Sequence, residues 1–184
     1  MSRIARQLKR GTPGFSLIEI TVVTVIIVVL AIAGLPYYSR TIQRSRLSGG
    51  VSQILGDLRQ SQSAAIAQGR MYRLLAGTDA SVNPSKPNQY CLQSSTDAGA
   101  TWAPATTACL WVDIPTRYPG VGFTMQDGAG PPATVHQVQF NSRGIASHPS
   151  SPTFPITITV TGQVGGQTTT RLIQILRAGG TKTS

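Results

Sequence analysis

Few side chains among these 184 residues are placed to do chemistry, and the first is an acid in an apolar setting. Glu19 is the single ionisable residue of residues 15–35, FSLIEITVVTVIIVVLAIAGL. A carboxylate inside an apolar helix costs about 2.5–3.5 kcal/mol on insertion scales, so it persists where it has a partner or a task. Cys91 and Cys109 have no CxxC partner and no accompanying histidines, so they read as a disulfide rather than a metal site, with two free thiols as the other reading. Closing that loop would stabilise the fold by roughly 3 kcal/mol in the chain-entropy model. His136 alternates in phase with Val138 and Phe140 and reads as a packed or rim strand residue. His148, beside Pro149 in a Ser/Pro loop, reads as solvated. The six carboxylates form no acid pair at glycosidase-like spacing. HExxH, GxSxG and a phosphate-binding glycine loop are all missing, so neither catalysis nor a cofactor or metal is expected. Trp102 and Trp111 are candidates for an exposed binding surface, although the run Leu110-Trp111-Val112 argues that Trp111 is core.

Charge narrows the partners. Sixteen Lys+Arg against six Asp+Glu give +10, a balance that suits nucleic acid, phospholipid headgroups or an acidic polymer. Four of those cations, Arg3, Arg6, Lys9 and Arg10, lie in the first 14 residues; without them 12 face 6, which is +6. Only 12% of residues are charged, and Gly, Pro, Ser and Thr abound after residue 76, as in loop-rich extracytoplasmic β domains. The length suits one globular domain.

These residues need elements to hold them. Residues 1–14 are basic, and residues 15–35 are long enough to span a bilayer as a helix whose basic flank stays in the cytoplasm. An ordinary signal peptide has the same outline, with Ala31-Ile32-Ala33 as a cleavage site and Gly34 as the first mature residue. Glu19 argues against that reading, because a disposable signal has no use for it. Beyond Pro36, the residues Val51, Ile54, Leu55, Leu58 and Ala65 recur at helical spacing, with Arg59, Gln60 and Gln68 turned away. One helix over 15–68 follows, bent at Pro36, weakened at Gly49-Gly50 and capped by Gly69. From Arg70 onward, short alternating runs predict antiparallel strands at 71–76, 89–93, 109–114, 122–125, 135–141, 156–161 and 172–177, with no helix between them. The expected disulfide would then pin an excursion over 96–107. The fold class is α+β, a long N-terminal helix packed on an antiparallel β-sheet domain.

Gly14-Phe15-Ser16-Leu17-Ile18-Glu19 after a short basic leader resembles the class III signal of type IV pilins and type II secretion pseudopilins. The resemblance implies the pilin fold and an organisation of leader 1–14, apolar filament-core helix 15–35, amphipathic helix 36–69 and periplasmic domain 70–184. It also implies cleavage after Gly14 by the prepilin peptidase and N-methylation of Phe15. Glu19 would set register during assembly, and Pro36 stands where the family commonly has a kinking proline. Cleavage would give Phe15 an ammonium with a reference pKa of about 8, which Glu19, one turn away, can neutralise on its own chain or a neighbour.

The stretch 55–69, LGDLRQSQSAAIAQG, resembles the corresponding helix of the GspH/FimT branch, and 140–144, FNSRG, its F-x-x-x-G turn. The partners implied are other pilins or pseudopilins, the prepilin peptidase, an inner-membrane assembly platform and membrane lipid. The location implied is the inner membrane, single-pass, with the domain in the periplasm or on a cell-surface filament. The role implied is a non-catalytic minor subunit that primes or caps a type IV pilus or type II secretion pseudopilus. The alternative is a DNA-binding minor pilin for uptake in natural transformation. Some FimT-like minor pilins bind DNA through a C-terminal GRxR motif. Residues 177–184, RAGGTKTS, keep glycine and cations but lack the paired arginines, leaving Arg171, Arg177 and Lys182 as DNA candidates.

Overall fold

A computed structural model of the chain describes residues 14–79, 81–82, 84–126, 136–148 and 153–184. The leader cations Arg3, Arg6, Lys9 and Arg10 and the expected strand residue Val135 lie outside the described residues, as does the side chain of Pro36. The chain divides into two compact units, residues 1–39 and 40–184. Helix α1, Leu17–Gln68, contributes to both.

In the first unit, α1 presents apolar side chains on every side. All of the side chains described there, from Phe15 to Tyr38, are exposed. The threonines close their hydroxyls on the helix itself, Thr21 Oγ1 donating to the Ile18 carbonyl at 2.8 Å and Thr24 Oγ1 to Ile20 at 2.7 Å. Polar groups in an apolar medium must be satisfied within the helix in this way.

In the second unit, α1 becomes a helix with one inner face. Leu47, Ile54, Leu58 and Ala65 are buried, and Val51 and Leu55 pack beside them. Ser61 joins this buried row because its hydroxyl donates back to the Asp57 carbonyl at 2.7 Å. The helix remains unbroken at Gly49-Gly50. The two glycines have a packing role that the sequence reading missed: a Cβ on Gly49 would come 2.5 Å from Tyr118 Cε1, and one on Gly50 would lie 3.0 Å from Val121 Cγ1.

The helix packs on two antiparallel sheets. One is five-stranded, in the order β3 (Val112–Asp113), β2 (Gln89–Ser95), β1 (Met71–Ala76), β5 (Gln137–Phe140), β6 (Ala146–Ser147). The other is four-stranded, in the order β4 (Val121–Gln126), β7 (Ile156–Val164), β8 (Gln167–Ile175), β9 (Thr181–Thr183). Period-two alternation sends Leu74, Tyr90, Val138 and Phe140 from the first sheet, and Ile156, Ile158, Val160, Ile173 and Ile175 from the second, into one core with the helix. Gly69 and Gly144 have φ of 61° and 74°, the left-handed geometry expected of a helix cap and a turn.

Four features depart from the sequence reading. Only Val112–Asp113 of the expected strand 109–114 is in a ladder, and Ile114–Arg117 forms a one-turn helix, α2, capped by Asp113, whose side chain accepts from the Thr116 amide at 3.0 Å. Strands β6 and β9 were not anticipated, and β8 begins at Gln167, well before the expected start at 172. The apolar run at 109–111 belongs to a segment covering the sheet rather than to the sheet.

Candidate functional site

The residues singled out by spacing fall into three places. Gly14 and Phe15 lie just before α1, separated from it by Ser16, and Phe15 is 79% exposed. Glu19 lies in the first turn, its amide donating to the Ser16 carbonyl at 2.9 Å, with its side chain exposed and without a partner among the described residues. An acid in the first turn opposes the partial positive charge of the helix N-terminus. This end of the chain therefore combines a glycine junction, an aromatic residue and a lone carboxylate at the head of an apolar helix. Pro36 lies within the helical span.

The second place is the outer face of the five-stranded sheet. Cys91 on β2 and Cys109 form a disulfide with Cα atoms 6.1 Å apart. With Leu75, Val82 and the flanking Trp111, the two cysteines make a small second core. The segment between β2 and β3 folds back across this face. Ser94 and Ala103 exchange backbone hydrogen bonds of 2.8 Å, and Gln93 Nε2 donates to the Pro104 carbonyl at 2.6 Å. Arg73 Nε donates to Gln93 Oε1 at 2.7 Å and its Nη1 to Gln137 Oε1 at 2.9 Å, while its guanidinium lies 4.2 Å from the Trp102 ring centre. Burial lowers the Arg73 pKa, partly countered by Asp79.

Trp102 and Trp111 are both half-buried in this cover and so do not form an open aromatic surface. At the tip of the excursion, Asp97 accepts from Ser95 Oγ (2.6 Å), the Thr101 amide (2.8 Å) and Thr101 Oγ1 (2.5 Å). Those bonds hold its carboxyl well below the usual carboxylate range. On the opposite face of the sheet, the buried Tyr90 hydroxyl donates to Asp57 on α1, whose carboxylate also accepts from Gln53 Nε2 at 3.0 Å. Burial, and then that bond to Asp57, push the phenol up, so it stays protonated.

The third place is the four-stranded sheet. Arg171, Arg177 and Lys182 are all exposed, but they do not share one surface. Arg171 alternates in phase with the buried Ile173 and Ile175, on the helix side. Lys182 pairs with Gln174, which lies on the other face. The structure thus does not gather the three DNA candidates. Arg171 instead lines a cleft of about 700 Å³ together with Arg44, Leu47, Ser48 and Val51 of α1. No sequence pattern joins these helix and strand residues. Their proximity comes from packing alone. His136 immediately precedes β5, its Nδ1 2.9 Å from Thr78 Oγ1, and His148 is half-buried. Among the described residues there is no cluster of three metal-ligating side chains.

No protein-family model matches the sequence, and no curated protein matches it. Among solved structures, the chain is similar to the type IV minor pilin FimU of Pseudomonas aeruginosa. Identity is 16%, the match covers 77% of this chain and 90% of that one, and the TM-score is 0.50. The minor pseudopilin EpsH of the type 2 secretion system of Vibrio cholerae matches at 12% identity over 72% of this chain and 91% of that one, with a TM-score of 0.47. The fold is pilin-like: a long N-terminal helix, apolar in its first half, leading into antiparallel sheets.

Proposed function

We propose that the chain is a minor pilin or pseudopilin, a structural rather than catalytic subunit, cut after Gly14 and inserted into an inner-membrane-anchored filament by residues 15–35. The observation that carries this reading is the exposed first half of α1. An apolar helix whose described side chains are all exposed needs a bilayer before assembly and neighbouring helices after it. Cleavage at the Gly14–Phe15 junction creates an ammonium, which the peptidase would then methylate, within a turn of the unpartnered Glu19 carboxylate. In a low-dielectric setting each charge offsets the desolvation cost of the other, and contact is possible only at the correct axial stagger between subunits. The domain from residue 70 would stand in the periplasm or on the filament surface, an oxidising location that suits the disulfide. The partners would be other pilins or pseudopilins, the peptidase, the assembly platform and membrane lipid. DNA binding draws less support, because Arg171 and Lys182 face opposite sides of their sheet.

Mass spectrometry of the chain recovered from its host's membranes tests the proposal. Expected are a mature protein beginning with methylated Phe15, an uncut precursor for Gly14→Val, and a Glu19→Ala variant that is cut but missing from sheared filaments. A wild-type chain that keeps residues 1–14, or begins at Gly34, would overturn it.

A further inference from the structure

A second cleft, of about 340 Å³, opens beside the small disulfide core, with which it shares Val82 and Trp111. The loop after β1 contributes Ser81, Val82 and Lys86 to it, and the segment before β3 contributes Thr106, Thr107 and Trp111. Both segments are pinned to the sheet. The Lys86 amide donates to the Gly77 carbonyl at 2.7 Å, and Gly77 leaves no room for a Cβ against the Lys86 backbone. On the other segment, Thr106–Ala108 forms one 3-10 turn that leads directly into Cys109, which is tied to Cys91 on β2. Such anchoring fixes the polar groups before a ligand arrives, which lowers the cost of binding.

The cation in this cleft is the informative group. Elsewhere on the same sheet, the Arg73 guanidinium is held by two glutamine oxygens as well as the Trp102 ring. Lys86 is half-buried with its Nζ 5.5 Å from the Trp111 ring centre, and among the described residues its ammonium has no other partner. A partly desolvated ammonium without an acceptor carries a cost that a bound anion offsets. No acid is among the described lining residues, and nearby Asp79 is engaged by the Ser81 amide and hydroxyl at 2.8 and 2.6 Å.

We infer that this cleft binds a short acidic saccharide, with a uronate carboxylate on Lys86, a sugar ring against the exposed part of Trp111 and ring hydroxyls on Thr106 and Thr107. Threonine hydroxyls both donate and accept, as a polyol requires, and an indole covers the apolar face of a sugar ring. The volume lies at the low end of small-ligand sites, which suits a short saccharide better than a macromolecular segment. The site lies wholly within the unit from residue 40, so it holds or fails independently of the filament reading.

The test is calorimetric titration of the full chain in detergent micelles with digalacturonate and with galabiose, its neutral counterpart in which each carboxylate is a hydroxymethyl group. Digalacturonate should bind at least about tenfold more tightly. Its addition should move the indole N–H resonance of Trp111 and leave that of Trp102 in place. Lys86→Met keeps the aliphatic stem, so it should hold the wild-type melting temperature and lose the preference for the acid, which Lys86→Arg should retain. Thr106→Val combined with Thr107→Val should weaken both sugars and leave their ratio unchanged. If digalacturonate fails to bind at millimolar concentration, if Lys86→Met binds it as wild type does, or if the Trp102 resonance moves instead, the inference is wrong. Tetraglutamate binding as tightly as digalacturonate would make the cleft a general carboxylate site and overturn it as well.

Discussion

The two halves of α1 make opposite uses of apolar residues. Before residue 40 they surround the helix and none of those described is buried. After it one stripe is buried, in which Leu58 and Ala65 are wholly covered, while Ile66 stays 55% exposed. Helical spacing carries no directional information in the first half, where a bilayer or bundle would accept any face. In the second half spacing selects the face, because a single pair of sheets must be met. One continuous secondary-structure element thus carries two patterns of exposure, and the glycine pair at 49–50 lies where the second half meets α2 and β4.

The sharpest way to break this comparison is to make the same kind of deletion in each half. Leu58→Ala should cost about 2–5 kcal/mol of domain stability, through lost burial and a residual cavity. Val29→Ala should leave the same unfolding transition unmoved. Urea titrations of both full-length variants in detergent, followed by tryptophan fluorescence, decide it, and equal losses would erase the distinction. Next in size is the bridge: reducing Cys91–Cys109 should lower the midpoint by an amount equivalent to about 3 kcal/mol, with the helix signal in circular dichroism retained below that midpoint. The smallest effect belongs to Asp97. Its carboxyl pKa is depressed in the fold, so its contribution to stability is present above the ordinary value of 3.8 and fades as pH falls through the depressed one. Wild type should therefore exceed Asp97→Asn in melting temperature at pH 6 and converge on it toward pH 2. A constant gap would show that ionisation is irrelevant.

Legibility in the sequence followed the same physical divide. Helix and strand were readable wherever one face is buried and the other wet, as in α1 beyond residue 47, β4 and β7, since burial imprints a period. The first part of β8, Gln167–Arg171, was missed because it is polar on both faces, and β6 and β9 are too short to show alternation. The run Cys109-Leu110-Trp111 misled in the other direction. It is apolar partly because Cys109 and Trp111 cover a sheet, while Leu110 stays 88% exposed. Gly14, Phe15 and Glu19 could be picked out because their signal is local. The cleft could not, because Arg44 and Arg171 meet only through tertiary packing, and the expected Arg171–Arg177–Lys182 group dissolved on the parity of strand positions.

The covalent tie across the outer sheet also bears on survival under proteolysis. A peptidase cut anywhere in the exposed excursion between Cys91 and Cys109 leaves two fragments that remain joined through sulfur. Both β2 and β3 stay anchored on their own sides of the nick, so the break relaxes a loop without releasing a strand. A nicked chain would migrate as one band until reductant is added.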